Sequence, residues 1–253
     1  MQSSIALMMA ANIEALFLTG TSAINGTGNT ADKLIVGNGA SNTLGGGSGN
    51  DILQGGSGID TLTDTAGNNL VDGGGADVIT GGTGREFVIG SAGNDTITTS
   101  TGADVIAFNR GDGQDTVNAS AGKDNTLSLG NGIAYADLAF KKSSNERILV
   151  TGTNEQITFK DWYASTNNHS VANLQVVIEG GSDYNATSTN KLNNKKVEQF
   201  NVDGLVGAFD QARAANASLT SWAPSSSMLN FYLCGSDTAR WDRSTAYLEG
   251  VRG

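Results

Sequence analysis

The chain has 253 residues, of which 35 are glycine and one is proline, and its 15 Lys and Arg face 25 Asp and Glu for a net charge of −10. The glycines lack the strict every-third spacing and the proline of collagen, the acidity opposes binding to nucleic acid or an anionic membrane surface, and no apolar run is long enough to span a membrane. Cys234 is the only cysteine, so neither an internal disulfide nor a thiolate metal cluster is available.

The opening stretch, MQSSIALMMAANIEALFL, is apolar but lacks a basic start and contains Asn12 and Glu14, so it does not read as a cleavable signal peptide. Residues 1–27 read as a lead-in. Within them Ile13, Ala15 and Phe17 alternate with Leu16 and Leu18, which predicts a strand buried on both faces or one placed at the end of a core.

From residue 28 to 118 the sequence is periodic. Gly46–Gln54 (GGSGNDILQ) and Gly55–Thr63 (GGSGIDTLT) follow each other without a gap, each of the form Gly-Gly-x-Gly-x-Asp-x-apolar-x. The glycines permit a tight turn, the aspartate puts a carboxylate into it, and a three-residue tail such as Ile52-Leu53-Gln54 is a minimal strand with one inward apolar side chain. The inward series runs Ile35, Leu44, Leu53, Leu62, Val71, Ile79, Val88, Ile97, Ile106, Val117. Its steps are nine residues, except eight to Ile79, where Gly73–Asp77 is one residue short, and eleven to Val117, where Phe108–Gly113 adds two. A helix is excluded, because glycine at this density costs about 1 kcal/mol per residue. So regular a pattern also argues against the disorder that the composition alone would allow.

Two residues before each inward position stand Lys33, Asn42, Asp51, Asp60, Asn69, Asp77, Glu86, Asp95, Asp104 and Asp115. If two nonapeptides form one coil, residues about 18 apart stack. One side then carries Asn42, Asp60, Asp77, Asp95 and Asp115, the other Lys33, Asp51, Asn69, Glu86 and Asp104. The candidate metal ligands are the acids and amides of both columns with the turn glycines Gly47, Gly49, Gly56, Gly58, Gly75, Gly84 and Gly93. Calcium is the expected ion, because it takes six to eight oxygens from carboxylates and backbone carbonyls, whereas magnesium prefers a smaller, water-rich octahedron. Zinc is disfavoured by the scarcity of His and Cys. An isolated Gly-x-Asp would simply make a local turn hydrogen bond; a tandem array of them points to metal. Asp51 has Lys33 and Asn69 as stacked neighbours while Asp60 faces Asp77, so the sites are expected to be tighter or more numerous on the Asp60–Asp77–Asp95–Asp115 side.

Residues 28–117 resemble the haemolysin-type (RTX) calcium-binding repeats of secreted bacterial proteins. Gly46–Gln54 and Gly55–Thr63 match fully; Gly81–Ile89, Gly90–Thr98 and Thr99–Ala107 match in part; Lys33, Asn69 and Glu86 depart from the pattern. The resemblance implies an all-β protein, a parallel, right-handed β-roll folded by several extracellular Ca2+ ions. It further implies export by a type I secretion machinery that reads an uncleaved C-terminal signal, and so an extracellular or cell-surface location.

After Val117 the period stops. Strands are expected at Thr126–Leu129, Arg147–Val150, Gln156–Lys160 and Leu174–Ile178, with a hairpin turn at Gly152–Glu155. NRGDGQDTV, SLGNGIAYADLAF and KDWYAS…VANLQVVIEG resemble the domain that commonly follows such repeats, and residues 119–180 read as a β-rich cap covering the last coil. Trp162 and Tyr163 are expected in its core. Residues 181–196 read as a polar linker. A helix follows, with Leu205, Phe209 and Ala212 on one face and Asp203 as its cap. The tail, from Leu219 onward, broadly resembles the end of type I exported proteins and is expected to be packed, with Trp222, Leu229, Phe231 and Leu233 as a further packing element; 181–253 thus form linker, helix and tail.

Catalytic motifs are missing. His169, the single histidine, lies between Asn168 and Ser170 and reads as a surface residue without an evident partner. There is no His-Glu-x-x-His pair, no Gly-x-Ser-x-Gly elbow and no phosphate-binding Gly-x-x-x-x-Gly-Lys-Ser/Thr loop. The acids could pair as in a glycosidase, but calcium ligation accounts for them more simply. The expected function is therefore a non-enzymatic calcium-dependent module. The alternatives are a self-assembling surface protein (a surface-layer, filament or adhesin subunit) and the non-catalytic C-terminal region of a toxin or hydrolase.

Overall fold

The structure, a computed structural model, describes residues 1–178 and 184–237. Two sheets face each other, and the chain alternates between them every few residues. One sheet stacks Gln2–Ser3, Ala15–Leu18, Leu34–Val36, Ile52–Gln54, Asn69–Asp72, Glu86–Ile89, Val105–Asn109, Asn125–Gly130 and Val171–Val177 in parallel. The other stacks Leu7–Met8, Gly26–Asn29, Thr43–Gly47, Thr61–Thr63, Val78–Thr80, Thr96–Thr98, Gln114–Val117 and Glu155–Phe159, also in parallel. This is a parallel β-roll, in which each strand pairs with the one a full coil away.

The inward series occupies the space between the sheets. In register, Leu16, Ile35, Leu53, Val71, Val88, Ile106, Leu127 and Leu174 line one wall. Leu44, Leu62, Ile79, Ile97, Val117 and Phe159 line the other, and all of these side chains are buried. One large aliphatic per short strand suffices because strands alternate faces and the sheets are close. Truncating Leu53 to Ala should therefore cost about 2–5 kcal/mol, read as a lower urea midpoint in saturating calcium, whereas Ile59→Ala, on an exposed turn side chain, should move it by less than about 0.5 kcal/mol.

The boundaries drawn at 27/28 and 118/119 are not breaks in this stacking. Parallel pairing begins at Gln2 and Leu7 and continues through Asn125–Gly130, Glu155–Phe159 and Val171–Val177. The lead-in strand is buried on one face rather than two. Leu16 and Leu18 point inward, Phe17 is exposed, and Ile13 and Ala15 are half-buried, because the strand forms an ordinary wall of the roll.

Termination comes from a change of strand direction. Glu146–Gly152 pairs antiparallel with Glu155–Phe159 through the expected turn, followed by Ala139–Ser143 and Ser221–Trp222. On the other sheet Val197–Asn201 and Tyr232–Ser236 pair antiparallel beyond Val171–Val177. The helix Val202–Ala215 packs Val202, Leu205, Val206 and Phe209 over the end of the core, where Trp162, Phe140, Phe200 and Met228 are buried; Ala212 is half-buried and Tyr163 is partly buried against the cluster. The helix is capped by Asn201, whose side-chain oxygen accepts from the Gly204 N–H at 2.6 Å, and not by Asp203. The residue that leaves the strand already has extended backbone and supplies the cap. Asp203 instead lies 3.2 Å from His169 Nδ1, and the His169 ring stacks on Trp162 at 4.1 Å. His169 thus has partners on two sides, contrary to the expectation of a lone surface residue.

The polar linker packs in part, with Tyr184 and Leu192 against the core. In the tail Trp222 stacks on Phe140 and Phe231 packs inward, but Leu229 and Leu233 are exposed. Residues 179–183 and the tail beyond Asp237, where the expected packing of the chain's end falls, lie outside the described residues. No helix among the described residues is long and apolar enough to cross a membrane.

Candidate metal centre

Each nonapeptide folds as a glycine turn followed by a short strand, and turns two repeats apart stack. Ser48, Ala66, Thr83 and Thr101 form a row of backbone bridges on the Asp51 side, and Gly93 bridges Gly113 on the Asp60 side. Gly47, Gly49, Gly56, Gly58, Gly84 and Gly93 all have positive φ. At Gly49 (φ 116°) an added Cβ would also lie 2.8 Å from the Ala31 carbonyl carbon of the coil before it, so both conformation and space require glycine. Gly75 differs. The shortened turn keeps positive φ only at Gly74, the position of Gly56, and Gly75 is needed for its closeness to the Gly58 carbonyl.

The stacking shows in the side chains. Asp51 Oδ1 accepts from the Lys33 N–H (2.7 Å), Asn69 Oδ1 from Asp51 N–H (2.8 Å) and Asp104 Oδ1 from Glu86 N–H (3.0 Å). On the other side Asp60 accepts from Asn42 N–H, Asp77 from Asp60 N–H and Asp95 from Asp77 N–H, each at 2.7 Å, and Asp115 from Asp95 N–H at 3.0 Å. The partners are 18 residues apart except for 17 at Asp60–Asp77 and 20 at Asp95–Asp115, where the sequence loses one residue and gains two. Both predicted columns are therefore present. The first extends to Asn125, which accepts from Asp104 N–H at 3.0 Å and lies beyond the periodic stretch. Glu86 breaks the ladder. Its longer side chain leaves the Asn69 N–H to the Arg85 carbonyl (3.1 Å) and meets Asn69 only through Nδ2 at 3.4 Å.

The ladder uses one oxygen of each of its aspartates. The second turns back into the space left by the first glycine of its own turn: an added Cβ on Gly55 would lie 2.5 Å from Asp60 Oδ2, and one on Gly46 would lie 2.6 Å from Asp51 Oδ2. The second oxygens of Asp51, Asp60, Glu86, Asp95 and Asp104 are buried without any hydrogen-bond partner, as is Oδ2 of Asp64. Asp77 Oδ2 is the exception, since it accepts from Gly75 N–H at 3.0 Å. No ion pair found among the described residues involves these acids. A buried, unpaired carboxylate oxygen costs several kcal/mol unless a cation meets it. Four of the six unpartnered oxygens belong to the Asp51 side, so the inequality expected in favour of the Asp60 side is not visible in their distribution.

Burial is the largest influence on Asp51, Asp60, Asp64, Asp77, Glu86, Asp95 and Asp115. It pushes Asp51 and Asp95 up to about 7 and Asp115 and Glu86 up to about 8, with neighbouring carboxylates adding to it: Asp64 beside Asp51, Asp104 beside Glu86, Asp95 beside Asp115. Asp60 and Asp77 shift upward for the same reason, opposed by the ladder hydrogen bonds. The donor set suits a hard, oxygen-seeking divalent cation. Among the described residues no three His, Cys, Asp or Glu side chains converge on one point, so carboxylates from stacked turns would be completed by backbone carbonyls.

A parallel β-roll whose turns present buried, unmatched carboxylates one coil apart is a calcium-binding solenoid. Residues 27–62, 45–78, 54–85 and 80–115 match the RTX calcium-binding nonapeptide repeat, four copies that together span 27–115. That stretch is thus a haemolysin-type RTX repeat region, which binds several calcium ions. No curated protein matches the chain.

Sequence reasoning missed Asp64, a buried acid at the first-glycine position of the turn 64–69. The available signal was that the same turn carries Asn69 where its neighbours carry an acid.

Proposed function

We propose that the chain is a non-enzymatic β-roll module of a secreted bacterial protein, exported by a type I system and folded by extracellular calcium. Its ligands are Asp51, Asp60, Asp77, Asp95, Asp104 and Asp115, with Asn42 and Glu86 as weaker positions and the turn glycines as carbonyl donors. The observation that carries this reading is the set of buried carboxylate oxygens that neither a hydrogen bond nor a protein cation meets. Extracellular modules of this chemistry bind calcium at about 10⁻⁴–10⁻³ M, so the sites fill outside the cell and stay empty in a low-calcium cytoplasm. Titration calorimetry of calcium-stripped protein should find several ions per chain, and Asp95→Asn, which keeps the ladder oxygen but loses the charge, should weaken at least one site about tenfold. Absence of binding up to several millimolar calcium would refute the module. The export route fails if the full chain, co-expressed with a type I exporter, stays in the cells.

A second reading, a self-assembling surface subunit, is favoured by the exposed Met1, Ile5 and Met8 beside the first strands of both sheets. Exposed apolar side chains grouped in this way form a surface on which another chain can pack. Light scattering that stays monomeric across a calcium titration would remove this reading.

A further inference from the structure

The turn 64–69 has the wrong residue at the position where the others place their acid. Asn69 gives its single side-chain oxygen to the ladder, accepting from Asp51 N–H at 2.8 Å, and turns its Nδ2 donor toward Glu86 at 3.4 Å. An amide used in this way has no second oxygen to offer, and a donor would repel a cation. The same turn begins with Asp64, where the turns before and after it begin with Gly46 and Gly81. Asp64 is buried, and its Oδ1 accepts from the Ala66 N–H at 3.0 Å, within its own turn. Its Oδ2 is buried without a hydrogen-bond partner and reaches into the space beside Gly46, the same space that Asp51 Oδ2 enters.

We propose that Asp64 is a calcium ligand that replaces the carboxylate lost at Asn69, and that with Asp51 it completes a site between the turns 46–51 and 64–69. Two carboxylates, whose second oxygens enter one space beside Gly46, then meet one divalent ion there. The substitution of an acid into a glycine position is tolerated because Gly46, one coil earlier, leaves the volume open: a Cβ on Gly46 would overlap the Asp64 carboxylate. The ligand has moved five residues along the chain while staying in the same coil and column. The site sits on the side that the sequence marks as poorer, and it keeps the series of calcium positions unbroken through Asn69.

This inference rests on the calcium-module reading, and its test separates the two. Calcium stoichiometry and affinity are measured by calorimetry on the full chain as wild type, Asp64→Asn, Asp64→Gly, the double variant Asp64→Gly/Asn69→Asp, and Asp95→Asn on the opposite side. Circular dichroism at saturating calcium checks that each variant folds. Asp64→Asn and Asp64→Gly should each bind one ion fewer, or bind one ion at least tenfold more weakly. The double variant, which moves the carboxylate back to the repeat's usual position, should recover the wild-type stoichiometry. Unchanged binding in both single variants while Asp95→Asn is impaired would overturn the Asp64 site and leave the module intact. Failure of the folded double variant to recover would overturn it as well. Unchanged binding in all variants, Asp95→Asn included, would remove both.

Discussion

Stripped of calcium at pH 7.5, the protein should lose most of its far-UV β signal, and millimolar calcium should restore it in a single sigmoidal transition. Among the described residues, six buried carboxylate oxygens of the turns have no hydrogen-bond partner, and a buried carboxylate is costly unless a cation meets it. At millimolar calcium, about ten times a dissociation constant of 10⁻⁴ M, each filled site adds about 1.4 kcal/mol to the folded state. Four or more such sites reach the stability of an ordinary domain, about 5–15 kcal/mol. The sites share coils, so ordering one turn presents the next, as expected for a solenoid stabilised by nearest-neighbour contacts. A folded spectrum in chelator, with a thermal midpoint unchanged by calcium, would contradict this.

The second large effect is an inversion of the pH dependence. In the calcium-free fold the carboxyls of Asp51, Asp95, Asp115 and Glu86 are held above their ordinary values, to about 7 or 8. The native state then binds more protons than the unfolded state between about pH 4 and pH 8, so stability falls as pH rises through that window. Below it the groups are protonated in both states and add nothing. Above it they are ionised in both, and the full cost of burying charge is felt, on the order of several kcal/mol in total. Calcium displaces those protons, so its affinity rises with pH across the same range. Calcium-stripped protein should therefore melt higher at pH 4.5 than at pH 8, with compact β structure recovered in acid, while calcium-saturated protein should melt higher at pH 8. A midpoint in stripped protein that rises from pH 4.5 to pH 8 would show that the buried carboxylates are matched by something other than calcium.

The periodic part of the fold was legible because each coil repeats the same three decisions: glycine where the backbone turns, an acid where the ladder needs an acceptor, one aliphatic where the sheets meet. Even the irregular steps to Ile79 and Val117 reappear as 17- and 20-residue ladder bonds. The extent of the roll was not legible. Gln2–Ser3, Leu7–Met8 and Val171–Val177 join the same sheets through backbone pairing, which leaves no imprint on side-chain identity where the connecting turns lack the glycine pattern. The Asn201 cap and the His169–Trp162 stack depend on tertiary geometry that spacing alone does not encode. At the turns, the sequence located the acids of the repeat position, but the state of their second oxygens is a matter of burial. Asp64 was hidden by the repeat itself, because it occupies a position where the pattern asks for glycine.

At Asp51, Asp60, Asp95 and Asp104 the ladder holds one carboxylate oxygen and leaves the other for calcium. Crystals grown in millimolar calcium and measured at a long wavelength would test it directly through the anomalous signal of the ion. Peaks are expected between stacked turns, about 2.3–2.6 Å from the second carboxylate oxygens of Asp51, Asp60 and Asp95, with the first oxygens still bonded to the N–H groups one coil earlier. Peaks confined to the protein surface, or turns whose second oxygens are satisfied by water alone at saturating calcium, would contradict it.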